Sequence, residues 1–152
     1  MINTRWKYED YLITVDKSDL ELDVIYNFLS NESYWSKGIS MEDVINSINN
    51  SVLCFGMYYI DPINKEKKQV GFARVISDLV TFAYLTDVFI LKDFRKQGLG
   101  KWLIKIIIDY EELKIRRIML CTDDGHTLYS KYGFASLDKP NLFMQIKGKG
   151  AI

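Results

Sequence analysis

The chain is short of the residues that most metal and thiol chemistry needs: its 152 residues include one histidine and two cysteines. Cys54 and Cys121 stand apart in apolar, strand-like runs, with no Cys motif around either. This pattern predicts buried free thiols in a reducing compartment, and neither a disulfide, a nucleophile nor a structural metal site. Net charge is also lacking, because twenty basic residues balance twenty acidic ones. Broad nucleic-acid binding depends on many Lys and Arg contacts to phosphate, so it is disfavoured. No apolar run approaches the roughly 20 residues of a membrane span, and residues 1–8 lack the apolar core of a signal peptide. Neither an internal repeat, a low-complexity segment nor a linker divides the chain. These absences predict a single cytoplasmic domain over residues 1–152, with no membrane or nucleic-acid partner.

What is present is enough for a core: 48% of residues are hydrophobic and 26% charged, ordinary values for one folded domain. Tyr11–Val15 reads as a first strand. Ser18-x-x-Glu21 is a capping-box signal ahead of a helix face built from Leu20, Val24, Ile25 and Phe28. A second helix follows Ser40, with Met41, Val44, Ile45 and Ile48 on one side. Ser51–Ile60 and Gln69–Ile76 are β-rich runs joined by a polar hairpin loop, and Val80–Leu91 is a third strand. A helix over 98–112, a strand at Arg117–Cys121 and a short helix over His126–Tyr132 come next. Phe134–Leu137 and Leu142–Ile146 read as two final strands. Three hairpin-linked strands followed by a strand–helix–strand crossover imply an α+β domain. Its mixed sheet would be mostly antiparallel with one parallel step.

The most informative stretch joins the third of these strands to the 98–112 helix, through Arg95-Lys96-Gln97-Gly98-Leu99-Gly100-Lys101. Leu99, Trp102, Leu103, Ile106, Ile107 and Tyr110 then repeat with the helical period. Gly98 and Gly100 therefore sit at a first helical turn, where backbone N–H groups lack intrahelical partners. Without side chains there, a ligand can approach the backbone closely. Unpaired N–H groups, the positive end of the helix dipole and three nearby cations make an anion site suited to phosphate. Neither the P-loop nor the G-x-G-x-x-G fingerprint fits, and a ligand-free glycine turn is the alternative.

Arg95-x-x-Gly98-x-Gly100 between a strand and a helix resembles the acetyl-CoA loop of the GNAT superfamily of N-acetyltransferases. About thirty residues on, Leu128-Tyr129-Ser130-Lys131-Tyr132-Gly133-Phe134 looks like the ending that family carries after its fifth strand. The element order matches as well, so the resemblance covers nearly the whole chain. It implies the GNAT fold, with helices on both faces of the sheet and a cleft where two parallel strands splay apart. It implies further that Val88, Phe89 and Ile90 contact the pantetheine arm of acetyl-CoA through their backbone. Amides of Gln97, Gly98, Leu99, Gly100 and Lys101 would hold the pyrophosphate, with Arg95 and Lys96 near the adenosine phosphates.

Acetyl transfer to an amine requires a neutral amine, a stabilised carbonyl oxygen and a proton for the departing thiolate. The backbone N–H of Val88 or Phe89 suits the second task. Tyr129 matches the family tyrosine that serves as general acid; its alternative is simple packing. Asp87 interrupts an apolar strand just before the proposed acetyl site. It reads either as the base, as a contact for a cationic substrate, or as a carboxylate paired with a nearby Arg. His126, the one imidazole in the chain, is a second candidate for proton transfer, while Asp124 reads as a substrate contact or a helix cap. Family members place an Asn a little upstream to touch CoA, and Thr122 stands there instead. Tyr34 and Trp35 lie in the segment that roofs the acceptor pocket in that family. The expectation is an N-acetyltransferase acting on a small-molecule amine, with a homodimer left open. A protein amine as acceptor, or an acyl-CoA-binding module without turnover, are the alternatives, and the latter needs no general acid.

Overall fold

Residues 1–152 are described by a computed structural model. Six strands form one sheet in sequence order: β1 (Arg5–Tyr8), β2 (Tyr11–Thr14), β3 (Leu53–Ile60), β4 (Lys67–Ser77), β5 (Ala83–Ile90) and β6 (Ile118–Met119). Helices α1 (Leu22–Asn27) and α2 (Met41–Asn49) come between β2 and β3. Helix α3 (Leu99–Asp109) crosses from β5 to β6, and α4 (His126–Ser130) follows β6. Each neighbouring pair is antiparallel except β5–β6, which is parallel. The expected mixed sheet with one parallel step is therefore present.

Two cores cover the two faces of this sheet. The apolar stripe of α3, including the fully buried Leu103, Ile104 and Ile107, packs on Ile13, Phe55, Val75 and Leu85. On the other face, Ile25 of α1 and Val44 and Ile48 of α2 close over Cys54, Phe72 and Phe89. Because β3 is covered on both sides, its first six residues are all buried and show no alternation. Helix α2 begins as the sequence predicts: the Ser40 side chain accepts from the Asp43 N–H.

Four local readings need correction. β1 was not anticipated; it pairs only with β2, and three of its four residues are exposed, so no apolar face announces it. The Ser18–Glu21 capping box does not form. Asp16 caps a 3₁₀ turn at Lys17–Asp19 instead, and the Glu21 carboxylate leaves its own helix to accept from the Gln69 N–H of β4. The two final strands are also absent. Phe134–Leu137 and Leu142–Ile146 find no ladder partner, and the only regular element there is a 3₁₀ turn at Pro140–Leu142. Finally, Cys54 is buried as expected but Cys121 is exposed, because β6 ends at Met119 before reaching it.

Candidate active site

The parallel step is short. β5 and β6 pair only at Ala83–Ile118 and Tyr84–Met119, so from Leu85 onward that edge of β5 has no partner in β6. A cleft of about 1150 Å³ opens at this point, lined by every residue from Leu85 to Ile90. A crevice beyond the paired ends of parallel strands is the usual ligand position in such sheets.

One part of the cleft is an open helix start flanked by cations. Lys96 and Gly98 both adopt positive φ, +63° and +81°, which turns the chain sharply into the start of α3. Gly98 caps the helix with backbone alone, and no acidic residue occupies the first turn. The first N–H groups are therefore free for a ligand. A Cβ placed at Gly98 would meet nothing within 4 Å, and one at Gly100 would touch only Ile90 Cγ1 at 3.9 Å. The space over this turn is open. Arg95, Lys96 and Lys101 line the same cleft, together with Gly98, Leu99 and Gly100. Arg95 also anchors the loop, because its Nε donates to the Ile90 carbonyl at 2.8 Å. Gln97 does not line the cleft; its side-chain oxygen accepts from the Tyr11 hydroxyl at 3.2 Å, tying the loop to β2.

Asp87 lies where the sheet is irregular. The β4–β5 register shifts between Phe72 and Arg74, leaving Asp87 and Val88 opposite Ala73 alone, a β-bulge. Asp87 has a φ of +54°, unusual for a non-glycine residue. It lines the cleft but is 5% exposed. One carboxylate oxygen accepts from Arg74 Nε at 2.9 Å and the other from Trp35 Nε1 at 2.8 Å. Of the roles open to it from sequence, the Arg-paired carboxylate is the one the geometry displays. Each carboxylate oxygen thus holds one donor, and Asp87 still borders the cleft.

The remaining wall comes from the β6–α4 turn and the loop after α1. The Thr122 hydroxyl accepts from the Gly125 N–H at 2.9 Å, so this residue closes the turn. Gly125 must be small, since a Cβ there would lie 2.8 Å from Tyr129 Cε2. Gly125 is also the α4 cap, and Asp124 does not cap. Tyr129 lines the cleft and packs edge-on against Phe134, with ring centroids 5.7 Å apart. Burial pushes its hydroxyl up to about 12, with further upward contributions from Tyr34 and Asp124. Tyr34 and Trp35 complete the wall, their rings 5.0 Å apart and edge-on. The Tyr34 hydroxyl accepts from the Asp123 N–H at 2.8 Å. Glu32, Asp123 and Asp124 line the cleft without ion-pair partners. His126 is exposed and does not line the cleft, although it stands one helical turn before Tyr129 on α4. It starts α4 on the side turned to solvent.

Sequence reasoning missed Arg74. It is a lone cation in the apolar run Val70-Gly71-Phe72-Ala73-Arg74-Val75-Ile76, as Asp87 is a lone anion in β5. Two opposite lone charges in adjacent antiparallel strands are the signal that would have paired them.

Comparison with known proteins matches this architecture. Residues 57–136 fit the family model of the acetyltransferase (GNAT) domain. A Gibberella zeae protein named as an acetyltransferase is 34% identical over 142 residues, 83% of this chain and 79% of that protein. A Xanthomonas campestris pv. campestris structure assigned to the GNAT family superimposes with a TM-score of 0.83 at 38% identity. The match covers 92% of this chain and 94% of that one. A GNAT acetyltransferase from Elizabethkingia anophelis, solved with acetyl-CoA bound, shares the fold at a TM-score of 0.60 and 18% identity, over 95% of this chain and 92% of that one.

Proposed function

This chain belongs to the GNAT family of acetyltransferases, and from that premise we propose that it moves the acetyl group of acetyl-CoA to a primary amine of a small molecule. The transfer is direct, within a ternary complex. One observation carries the reading. A single cleft brings together an open, cation-flanked helix start, an unpaired strand edge and a half-buried tyrosine that keeps its proton.

The residues present suit acetyl-CoA, whose thioester supplies the activated acetyl group. The open cradle at Gly98 and Gly100 admits a pyrophosphate against the amides of residues 97–101, with Arg95, Lys96 and Lys101 supplying positive charge. The free edge of β5 at Val88–Ile90 offers backbone groups to the pantetheine amides. The N–H of Val88 or Phe89 stabilises charge on the acetyl oxygen. Tyr129 holds its proton at neutral pH and donates to the departing sulfur. Tyr34, Trp35 and Asp124 bound the space left for the amine, and unpaired carboxylates there favour its cationic form on arrival. Asp87 orients this wall; the ammonium loses one proton through water in the open cleft before attack, and the proton the nitrogen sheds after attack replaces the one Tyr129 gives to sulfur.

Thiol release from acetyl-CoA across a broad amine panel tests the proposal. Amine-dependent release supports it. Binding of acetyl-CoA without release for any amine overturns the small-molecule reading.

A further inference from the structure

The pair buried beside the cleft is left unused by the steps above. Arg74 and Asp87 have side chains 14% and 4% exposed and meet at 2.9 Å. A buried ion pair is poor evidence of a stabilising device, since apolar residues of similar volume often serve stability as well or better. Its geometry gives it another use. Asp87 has two oxygens and directs one to each side, to Arg74 on β4 and to Trp35 in the loop after α1. Arg74 is itself fixed, because its Nη1 donates to the Ser51 hydroxyl at 3.1 Å. That hydroxyl donates to the Ser47 carbonyl of α2 at 2.6 Å, and the Ser51 carbonyl accepts from Lys17 Nζ. The chain of bonds thus runs from α2 through β4 and the β5 bulge into the acceptor loop.

Two links of this chain, the β5 bulge and Trp35, touch the reaction space. The bulge at Asp87 and Val88 turns the backbone immediately before the amides proposed to face the acetyl oxygen. The positive φ of Asp87 is a conformation that surrounding contacts must over-determine. Trp35 lines the cleft, and its ring lies 6.1 Å from Phe28 and 5.0 Å from Tyr34. We infer that Arg74 is a positioning residue for acetyl transfer: through Asp87 it sets the β5 bulge and the Trp35 loop together, holding the acceptor wall in register with the thioester-binding backbone. This inference rests on the acetyltransferase reading above.

Full-length Arg74→Gln, Arg74→Lys and Trp35→Phe test it, alone and with Trp35→Phe combined with each Arg74 change. The assay uses acetyl-CoA and the panel amine with the highest wild-type kcat/KM. Arg74→Gln lowers kcat by roughly a hundredfold, the loss that a misplacement of about 1 Å produces, while CoA affinity by calorimetry stays near wild type. Arg74→Lys, which keeps the charge opposite Asp87, recovers most of that loss. Trp35→Phe raises KM for the amine by about tenfold, the scale of one lost charge-assisted hydrogen bond, and spares CoA binding. The combined Arg74→Lys, Trp35→Phe variant falls short of the product of the single effects, because both act through Asp87. If Arg74→Gln fails to fold, that Lys–Phe cycle decides alone.

Arg74 variants that lower only the melting temperature, or Lys and Phe effects that multiply independently, overturn the inference. If no panel amine reacts with wild type, the small-molecule reading fails separately, and amide exchange decides the positioning claim. Faster exchange confined to residues 33–38 and 86–89 in Arg74→Lys supports it; unchanged exchange there overturns it.

Discussion

The Tyr34 hydroxyl accepts a hydrogen bond from the Asp123 N–H at 2.8 Å, joining residues 89 positions apart across the cleft. The neighbouring Trp35 is tied to β5 through Asp87. One short loop is therefore fastened to both sides of the splay between β5 and β6. Tyr34→Phe keeps the ring against Trp35 and removes the oxygen. Because the site is exposed, the cost to stability is about 1 kcal/mol, a fall in melting temperature of roughly 2–4 °C. Steady-state kinetics show a raised KM for the amine, with CoA affinity unchanged by calorimetry. An unaltered amine KM contradicts a role for this fastening.

The two glycines of the anion turn separate folding from binding. Gly98 has a φ of +81°, so Gly98→Ala costs about 1–2 kcal/mol through backbone strain. Gly100→Ala meets only Ile90 Cγ1 at 3.9 Å, an ordinary contact, and so retains wild-type stability. Its methyl group occupies the space over the N–H groups where the pyrophosphate is placed. CoA affinity in calorimetry falls by about tenfold or more, because close backbone approach is lost. A stable Gly100→Ala protein with undiminished affinity would move the phosphate site elsewhere.

Gln69 replaces the capping box that the sequence suggested. It is 1% exposed; its oxygen accepts from the Glu21 N–H at 2.7 Å, and its nitrogen donates to the Gly71 carbonyl at 3.0 Å. Gln69→Leu preserves much of the volume and strands both partners. Urea unfolding should show a loss of about 2–4 kcal/mol, since two buried or half-buried polar groups go unsatisfied. A loss under about 0.5 kcal/mol would mean that water replaces these bonds.

High pH loosens the fold. Burial pushes the Tyr84 and Tyr129 hydroxyls up to about 12, and it raises Tyr58, Tyr11 and Tyr110 as well. In the unfolded chain tyrosines ionise near pH 10. Between about pH 10 and 12 the unfolded state therefore holds fewer protons than the native state, and stability falls as pH rises. Below that window the contribution is complete. The urea midpoint should stay level to about pH 9 and decline from about pH 10. A midpoint flat to pH 11 contradicts the buried-tyrosine account.

Local signals in the sequence were reliable and long-range ones were not. The α3 stripe from Leu99 to Tyr110 and the Ser40 cap of α2 depend on near neighbours, and both appear as read. The glycine turn into α3 was legible for the same reason: Gly98, Gly100 and the neighbouring cations are adjacent in the chain. Glu21 was misread because its partner, Gln69, lies 48 residues away in β4. The apolar run at Leu142–Ile146 promised a strand, but a strand also needs a ladder, and β6 is only two residues long. Arg74 escaped notice because its pairing with Asp87 is set by the β4–β5 register, which the bulge shifts. His126 stands exposed at the start of α4, and its exposure depends on how that short helix packs, which no local pattern announces.

Tyr129→Phe, assayed beside wild type for acetyl-CoA thiol release with a responsive amine, tests the central claim most directly. The ring still packs on Phe134 and only the proton donor is gone. The account predicts that kcat drops by about a hundredfold or more, the usual contribution of a positioned acid, with CoA affinity and melting temperature near wild type. Turnover that survives this substitution undiminished would contradict the assignment of Tyr129 as the acid, and with it the proposed chemistry of the cleft.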